Sequence, residues 1–271
     1  MIQRRIITAE ALPLEALEDL FRGCLRYEIW WGFAVSDIKQ RFRRSTIGPF
    51  WLTLSMGVLI GALGLVFSTI AKMRLEETLP YISVGIICWT LLSTCINEGS
   101  TIFISSAGQI RAIPIALSFY LYRMVARNVM IFLFNMAIYF VVLIMFPPGK
   151  TLNYLLFIPG FILYMLNILW VSLALGILSA RYRDVPQIAA NVMQVLFVFT
   201  PVFWSSETLP TRPVFVIFNP AYHLLEVVRE PLLGASPSLS SWAVAFATAV
   251  FGCVAAVRLY QRAYARIAYW V

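Results

Sequence analysis

Six stretches of this 271-residue chain are apolar enough, and nearly all long enough, to cross a bilayer. A spanning helix needs about 20 mostly apolar residues, because that length matches the hydrocarbon thickness. The stretches are 51–70, 79–96, 128–146, 152–178, 185–204 and 242–259. The fourth holds Pro159, which predicts a kink or tilt. Charged residues make up 13% of the chain, against about a quarter in soluble domains, too few to cover a water-facing surface. The expected fold is all-α and integral to the membrane. Residues 50–271 form a six-helix transmembrane domain behind an N-terminal segment, 1–49.

Charge sets the orientation. With six spans both termini share a side. Segment 1–49, loop 97–127, turn 180–184 and the C-terminal tail together carry 16 Arg and Lys, while the other side carries five: Lys72, Arg74, Lys150, Arg212 and Arg229. The positive-inside rule therefore places both termini in the cytoplasm. The same distribution accounts for the net charge of +8 without nucleic acid.

Three regions outside the spans have their own pattern. In 13–31, Leu14, Leu17, Phe21, Cys24 and Leu25 recur at helical spacing, with Glu15, Asp19, Arg22 and Arg26 on the opposite face. Trp30 and Trp31 follow, suited to lipid headgroups, so this segment is expected to lie on the cytoplasmic leaflet as an amphipathic interface helix. The basic run Lys39 to Arg44 beyond it fits an anchor beside anionic membrane lipid. Loop 97–127 is too polar to span and too patterned for a linker; a short helix ending near Pro114 is expected there, shaped to dock on a partner. On the outer side, 205–234 holds four prolines and a short apolar core, and reads as a re-entrant helical hairpin between the fifth and sixth spans.

Chemistry is sparse. The four cysteines, Cys24, Cys88, Cys95 and Cys253, form no CxxC, and His223 is the one histidine, which argues against disulfides and zinc. Gly149-Lys150-Thr151 resembles the end of a phosphate-binding loop, but Ile144 stands where the loop needs glycine. No acidic pair has metal-binding DxD spacing, which disfavours a membrane transferase. The span centres carry amides (Asn135, Asn167, Asn191, Gln194) rather than ionisable groups, which disfavours an ion-coupled carrier and favours interhelical hydrogen bonding. The aromatics fall into two sets. Trp51, Tyr81, Trp89, Trp242 and Trp270 fit interfacial belts. Phe197, Phe199, Phe203, Trp204, Phe215, Phe218 and Tyr222 cluster at the expected channel mouth, where aromatic faces suit the apolar C–H faces of sugars.

The run Asp37-Ile38-Lys39-Gln40-Arg41-Phe42-Arg43-Arg44-Ser45-Thr46-Ile47-Gly48-Pro49-Phe50-Trp51 resembles the N-terminal signature of ABC-2-type permeases that export polysaccharides, nearest the O-antigen and lipopolysaccharide branch. Four further runs agree in order: Gln109-Ile110-Arg111-Ala112-Ile113-Pro114, Arg181-Tyr182-Arg183-Asp184-Val185-Pro186-Gln187, Thr200-Pro201-Val202-Phe203-Trp204, and Asn219 to Arg229. The resemblance spans about residues 20–262. It implies a homodimer of six-span subunits in the inner membrane of a Gram-negative cell, with two copies of a cytoplasmic ATP-binding subunit supplying ATP and Mg; this chain needs no cofactor of its own. It also implies that Gln109 to Pro114 form the coupling helix, that the interface helix (Phe21, Arg22, Arg26, Trp30, Trp31) also touches the ATPase, and that the substrate is a lipid-linked glycan. Capsule, teichoic-acid and drug exporters of the superfamily are the near alternatives.

Overall fold

The computed structural model describes residues 12–71, 74–113, 115–147, 154–204 and 214–271, and these form helices joined by short turns, with no strand among them. Pro114, the Gly149-Lys150-Thr151 motif and the first part of the expected hairpin lie outside the described residues. In order, the helices are α1 (Leu12–Leu25), α2 (Tyr27–Arg41), α3 (Phe50–Ala71), α4 (Leu75–Ser105), α5 (Ala107–Ala112), α6 (Ser118–Met145), α7 (Tyr154–Arg181), α8 (Val185–Phe199), α9 (Val214–Ile217), α10 (Pro220–Leu232) and α11 (Leu239–Trp270). Five of them, α3, α4, α6, α7 and α11, are long and apolar enough to cross a membrane. A helix satisfies its own backbone hydrogen bonds, which is what lipid demands of a spanning segment.

The axis of the bundle is α4, which packs against α3, α6, α7, α8 and α10. It is longer than the apolar stretch that announces it. Asn97 to Ser100 were expected to open a loop, yet the helix runs on to Ser105, with Glu98 and Ser100 bonded inside the bundle. Ser100 Oγ donates to Asn97 O at 2.7 Å, and the Glu98 carboxylate is held from α6. Gly99 lets α7 approach: a Cβ there would lie 2.5 Å from Ser172 Cβ. At the other end, residues 118–127 already belong to α6. The expected loop 97–127 is therefore only the stretch around α5.

The expected fifth span also needs correcting. Helix α8 has 15 residues, about 22 Å at 1.5 Å per residue, and it stops at Phe199 instead of reaching Trp204. Pro201 cannot donate to a helical carbonyl, and the chain turns. The freed carbonyls find donors: Tyr81 Oη donates to Pro201 O at 3.2 Å and to Trp204 O at 3.0 Å, and Arg229 Nη1 donates to Pro201 O at 2.7 Å. Helix α10 follows in a groove among α4, α7 and α11, with Ala221 through Arg229 all buried. Its backbone presses on α7 at Gly160, where a Cβ would lie 2.2 Å from Val227 O.

The N-terminal segment is two helices rather than one, broken at Arg26. The apolar stripe of α1 points away from the protein: Leu14, Phe21 and Leu25 are 71%, 67% and 60% exposed. The inward face is Ala16, Asp19 and Gly23, small residues around one carboxylate. Asp19 accepts from Leu117 N at 2.8 Å and Ser118 N at 3.0 Å, capping the start of α6, and from Tyr260 Oη at 2.7 Å and Tyr264 Oη at 3.2 Å on α11. The residue assigned to the wet face is thus the one that fastens α1 to the bundle, since an otherwise unpaired helix N-terminus needs an acceptor.

Candidate functional site

Helices α3, α4 and α8 line an open-sided cavity of about 670 Å³. Its aromatic wall is Phe67, Trp89, Phe197 and Phe203; Thr90, Ser93, Asn97 and Gln194 supply its polar groups. The rings touch in sequence: Trp89 and Phe197 centroids are 5.5 Å apart, Phe197 and Phe203 5.4 Å, Phe203 and Phe67 5.0 Å. Asn97 Oδ1 is buried and has no hydrogen-bond partner. A second cavity of about 310 Å³, between α3, α4 and α6, shares Leu59 and Thr90 with the first and carries Asn128 and Asn135; Asn135 Oδ1 is also unpartnered.

The seven aromatics expected at one mouth do not form one group. Phe197 and Phe203 line the large cavity. Phe199 meets Phe215 edge-on at 5.5 Å on an exposed face, and Phe218 is 81% exposed. Tyr222 is buried on α10 beside His223, and Trp204 offers its carbonyl to Tyr81. The end of α8 at Thr200 is what separates them. Trp89 and Phe67 were missed as cavity residues; Trp89 had been read as a belt residue, yet it is 6% exposed within the bundle. The amides divide likewise. Asn167 Nδ2 donates to Ala245 O of α11 at 3.1 Å, as interhelical bonding requires, whereas Asn191 bonds Gln187 along its own helix.

The expected docking segment is found at the end of the bundle where α1, α2 and the end of α11 gather. There α5 stands out from the fold with no buried residue. Gln109, Arg111 and Ala112 are exposed, Ile110 is half-buried, and Ile113 caps the helix at 49% exposed. Arg111 Nη2 donates to Val271 O, and Arg183 Nη2 donates to Trp270 O at 3.0 Å, so the α5 loop and the α7–α8 turn both grip the end of α11. The interface-helix residues lie close by. Arg22 pairs with Glu18 in water, Phe21 and Trp31 are exposed, Arg26 sits in the break, and Trp30 Nε1 donates to Cys24 O at 3.3 Å while its ring packs near Tyr122.

Behind α5 lies an ionic network that sequence reading passed over. Asp37 on α2 takes a bidentate pair from Arg123, Nε at 2.8 Å and Nη2 at 2.5 Å. Arg127 reaches Asp37 at 3.4 Å and Glu98 at 2.6 Å, and Asn128 Nδ2 donates to Glu98 at 2.6 Å. The signal available was spacing: Arg123 and Arg127 are i, i+4 on a helix.

Five membrane-length apolar helices around a largely buried α4 define a multi-pass membrane protein. The chain belongs to the ABC-2 type transporter family, which it matches over residues 30–233, from α2 through α10. It is similar to the O-antigen export system permease protein RfbA of Myxococcus xanthus, 19% identical over 192 residues that cover 70% of this chain and 74% of that protein. Among the described residues no group of His, Cys, Asp and Glu is placed to hold a metal, and all four cysteines are free thiols.

Proposed function

We propose that the chain is the transmembrane subunit of an ATP-driven exporter that moves a lipid-linked polysaccharide of the O-antigen class across the inner membrane. Two copies pair, and each engages an ATP-binding subunit at the cytoplasmic end through α5, with Gln109, Ile110, Arg111, Ala112, Ile113 and Pro114 as the docking surface. ATP and Mg are held by that partner. The α1–α2 segment rests on the inner leaflet with Leu14, Phe21 and Leu25 in lipid. Family membership and the named relative support the exporter role. The glycan reading is carried by one observation: the α3–α4–α8 cavity joins four aromatic rings to hydroxyl and amide groups. Rings stack on sugar C–H faces while the amides exchange hydrogen bonds with hydroxyls, and no fixed charge holds the chain in place, so a long glycan slides.

The test is export of surface polysaccharide by cells carrying Trp89→Ala, Phe197→Ala or Phe203→Ala beside the ATP-binding subunit. Export is expected to fall by about tenfold or more, equivalent to about 1.4 kcal/mol, with complex assembly and ATP hydrolysis retained. Normal export in all three variants sinks the glycan path.

A further inference from the structure

The docking helix is lightly packed: Ala107 and Ile110 rest half-buried against the core, and its other links to the bundle are polar side chains. None of its residues is buried, and beneath it lies a polar cavity of about 270 Å³ lined in part by Glu98, Gln109, Tyr120, Arg123 and Arg127. Tyr120 Oη is buried with no hydrogen-bond partner. Ser106 joins α5 directly to the end of α4 and Arg111 ties it to the end of α11, so the link from α5 to α6 and α2 across this space is the one that depends on Gln109.

Gln109 is held by Arg123, whose Nη1 donates to Gln109 Oε1 at 3.2 Å. The same guanidinium is fixed by its bidentate pair with Asp37 and lies over the Phe33 ring at 5.3 Å. The run continues from Asp37 to Arg127, from Arg127 to Glu98, and Glu98 adjoins Asn97 in the wall of the large cavity. One set of charge-assisted bonds thus joins α5, α6, α2 and α4. Two guanidinium groups face two carboxylates, so the network is neutral as a whole and each member is committed to another.

We infer that Arg123 is the positioning residue that carries displacement of α5 across to α6 and α2, and by way of Asp37 and Arg127 to the Glu98 stretch of α4 beside the cavity. The inference rests on α5 being the docking helix. Arginine is required because one planar group makes a bidentate pair with Asp37 and a third bond to Gln109, which a lysine ammonium on a flexible stem does not reproduce. Lysine nevertheless keeps the charge, so Arg123→Lys separates linkage from folding.

The experiment uses the permease with its ATP-binding subunit in lipid nanodiscs. Ser93→Cys in the cavity wall is labelled by a small maleimide with and without ATP, above the background of the native thiols, and Gly108→Cys is crosslinked to the ATP-binding subunit. With Arg123 intact, ATP is expected to change the Ser93→Cys labelling rate about fivefold or more. In Arg123→Lys and Asp37→Asn the dependence is expected to vanish, while the Gly108 crosslink and ATP hydrolysis persist. Retained ATP dependence in Arg123→Lys overturns the inference and leaves docking intact. No ATP dependence at Ser93→Cys in the parent overturns it as well, because no displacement then reaches the cavity. Absence of the Gly108 crosslink in the parent overturns the docking reading itself and reduces Arg123 to a structural contact.

Discussion

Two polar clusters sit at opposite ends of α4, and they are built on different terms. The network of Asp37, Arg123, Arg127 and Glu98 is partly wet, with side chains 14–36% exposed. The cluster on α10 is dry. Arg229, His223 and Glu226 are 2%, 4% and 6% exposed. Arg229 lies over the Tyr81 ring at 4.1 Å and donates to Pro201 O; Glu226 accepts from Ser241 Oγ and from Ser238 N at 3.3 Å; His223 Nε2 donates to Ile217 O at 2.7 Å. Water lets charge pairs rearrange at small cost, whereas a dry cluster is held to one arrangement by desolvation. The lesson is a division of labour: the wet end suits a linkage that moves, the dry end a break in the chain that must not.

That contrast is open to direct attack. Arg229→Ala is expected to have the largest effect, about 3–5 kcal/mol, because it strips a buried charge from Pro201 O and Glu230; the measure is recovery of monodisperse protein in detergent. Gly160→Ala pushes α7 and α10 apart and is expected to cost about 1–3 kcal/mol in a denaturation series. Asp19→Ala removes four acceptor contacts and is expected to cost a similar ~1–3 kcal/mol, with α1 turning protease-sensitive while the spans stay protected. Asp37→Asn is expected to cost about 1 kcal/mol or less in stability, since water screens the site, so its effect belongs to coupling. Arg22→Ala breaks an exposed i, i+4 pair and is expected to leave melting temperature unchanged. A large loss from Asp37→Asn together with a small one from Arg229→Ala inverts the contrast and ends it.

The spans were legible because lipid permits few backbone solutions, so the apolar runs around α3, α6, α7 and α11 announced themselves. What escaped depended on tertiary pairing. Glu98 read as the start of a loop because its partners, Arg127 and Asn128, are 29 and 30 residues away. Asp19 read as wet because amphipathic spacing says which residues share a face, but not which face the bundle takes; here small residues won, as the α6 terminus came close. At α8 hydropathy continued through Phe203 and Trp204 while the backbone stopped, since Pro201 ends a helix whatever its neighbours' polarity. Phe203, expected at a channel mouth, lines the large cavity, and its companions Trp89 and Phe67 lie far along the chain where no periodicity marks them.

The glycine contacts also bear on freedom of movement. Backbones brought together at Gly99 and Ser172, at Gly160 and Val227, and at Gly85, where a Cβ would lie 2.2 Å from Val202 O, mesh like gear teeth. Helices α4, α7 and α10 therefore cannot slide past one another without a steric collision, and they behave as a single block. Helix α3 is different: only 17% of its apolar stretch is buried, against 72% for α4. It leans on the block mainly through side chains, so the large cavity widens or narrows as the block shifts against α3 and α8.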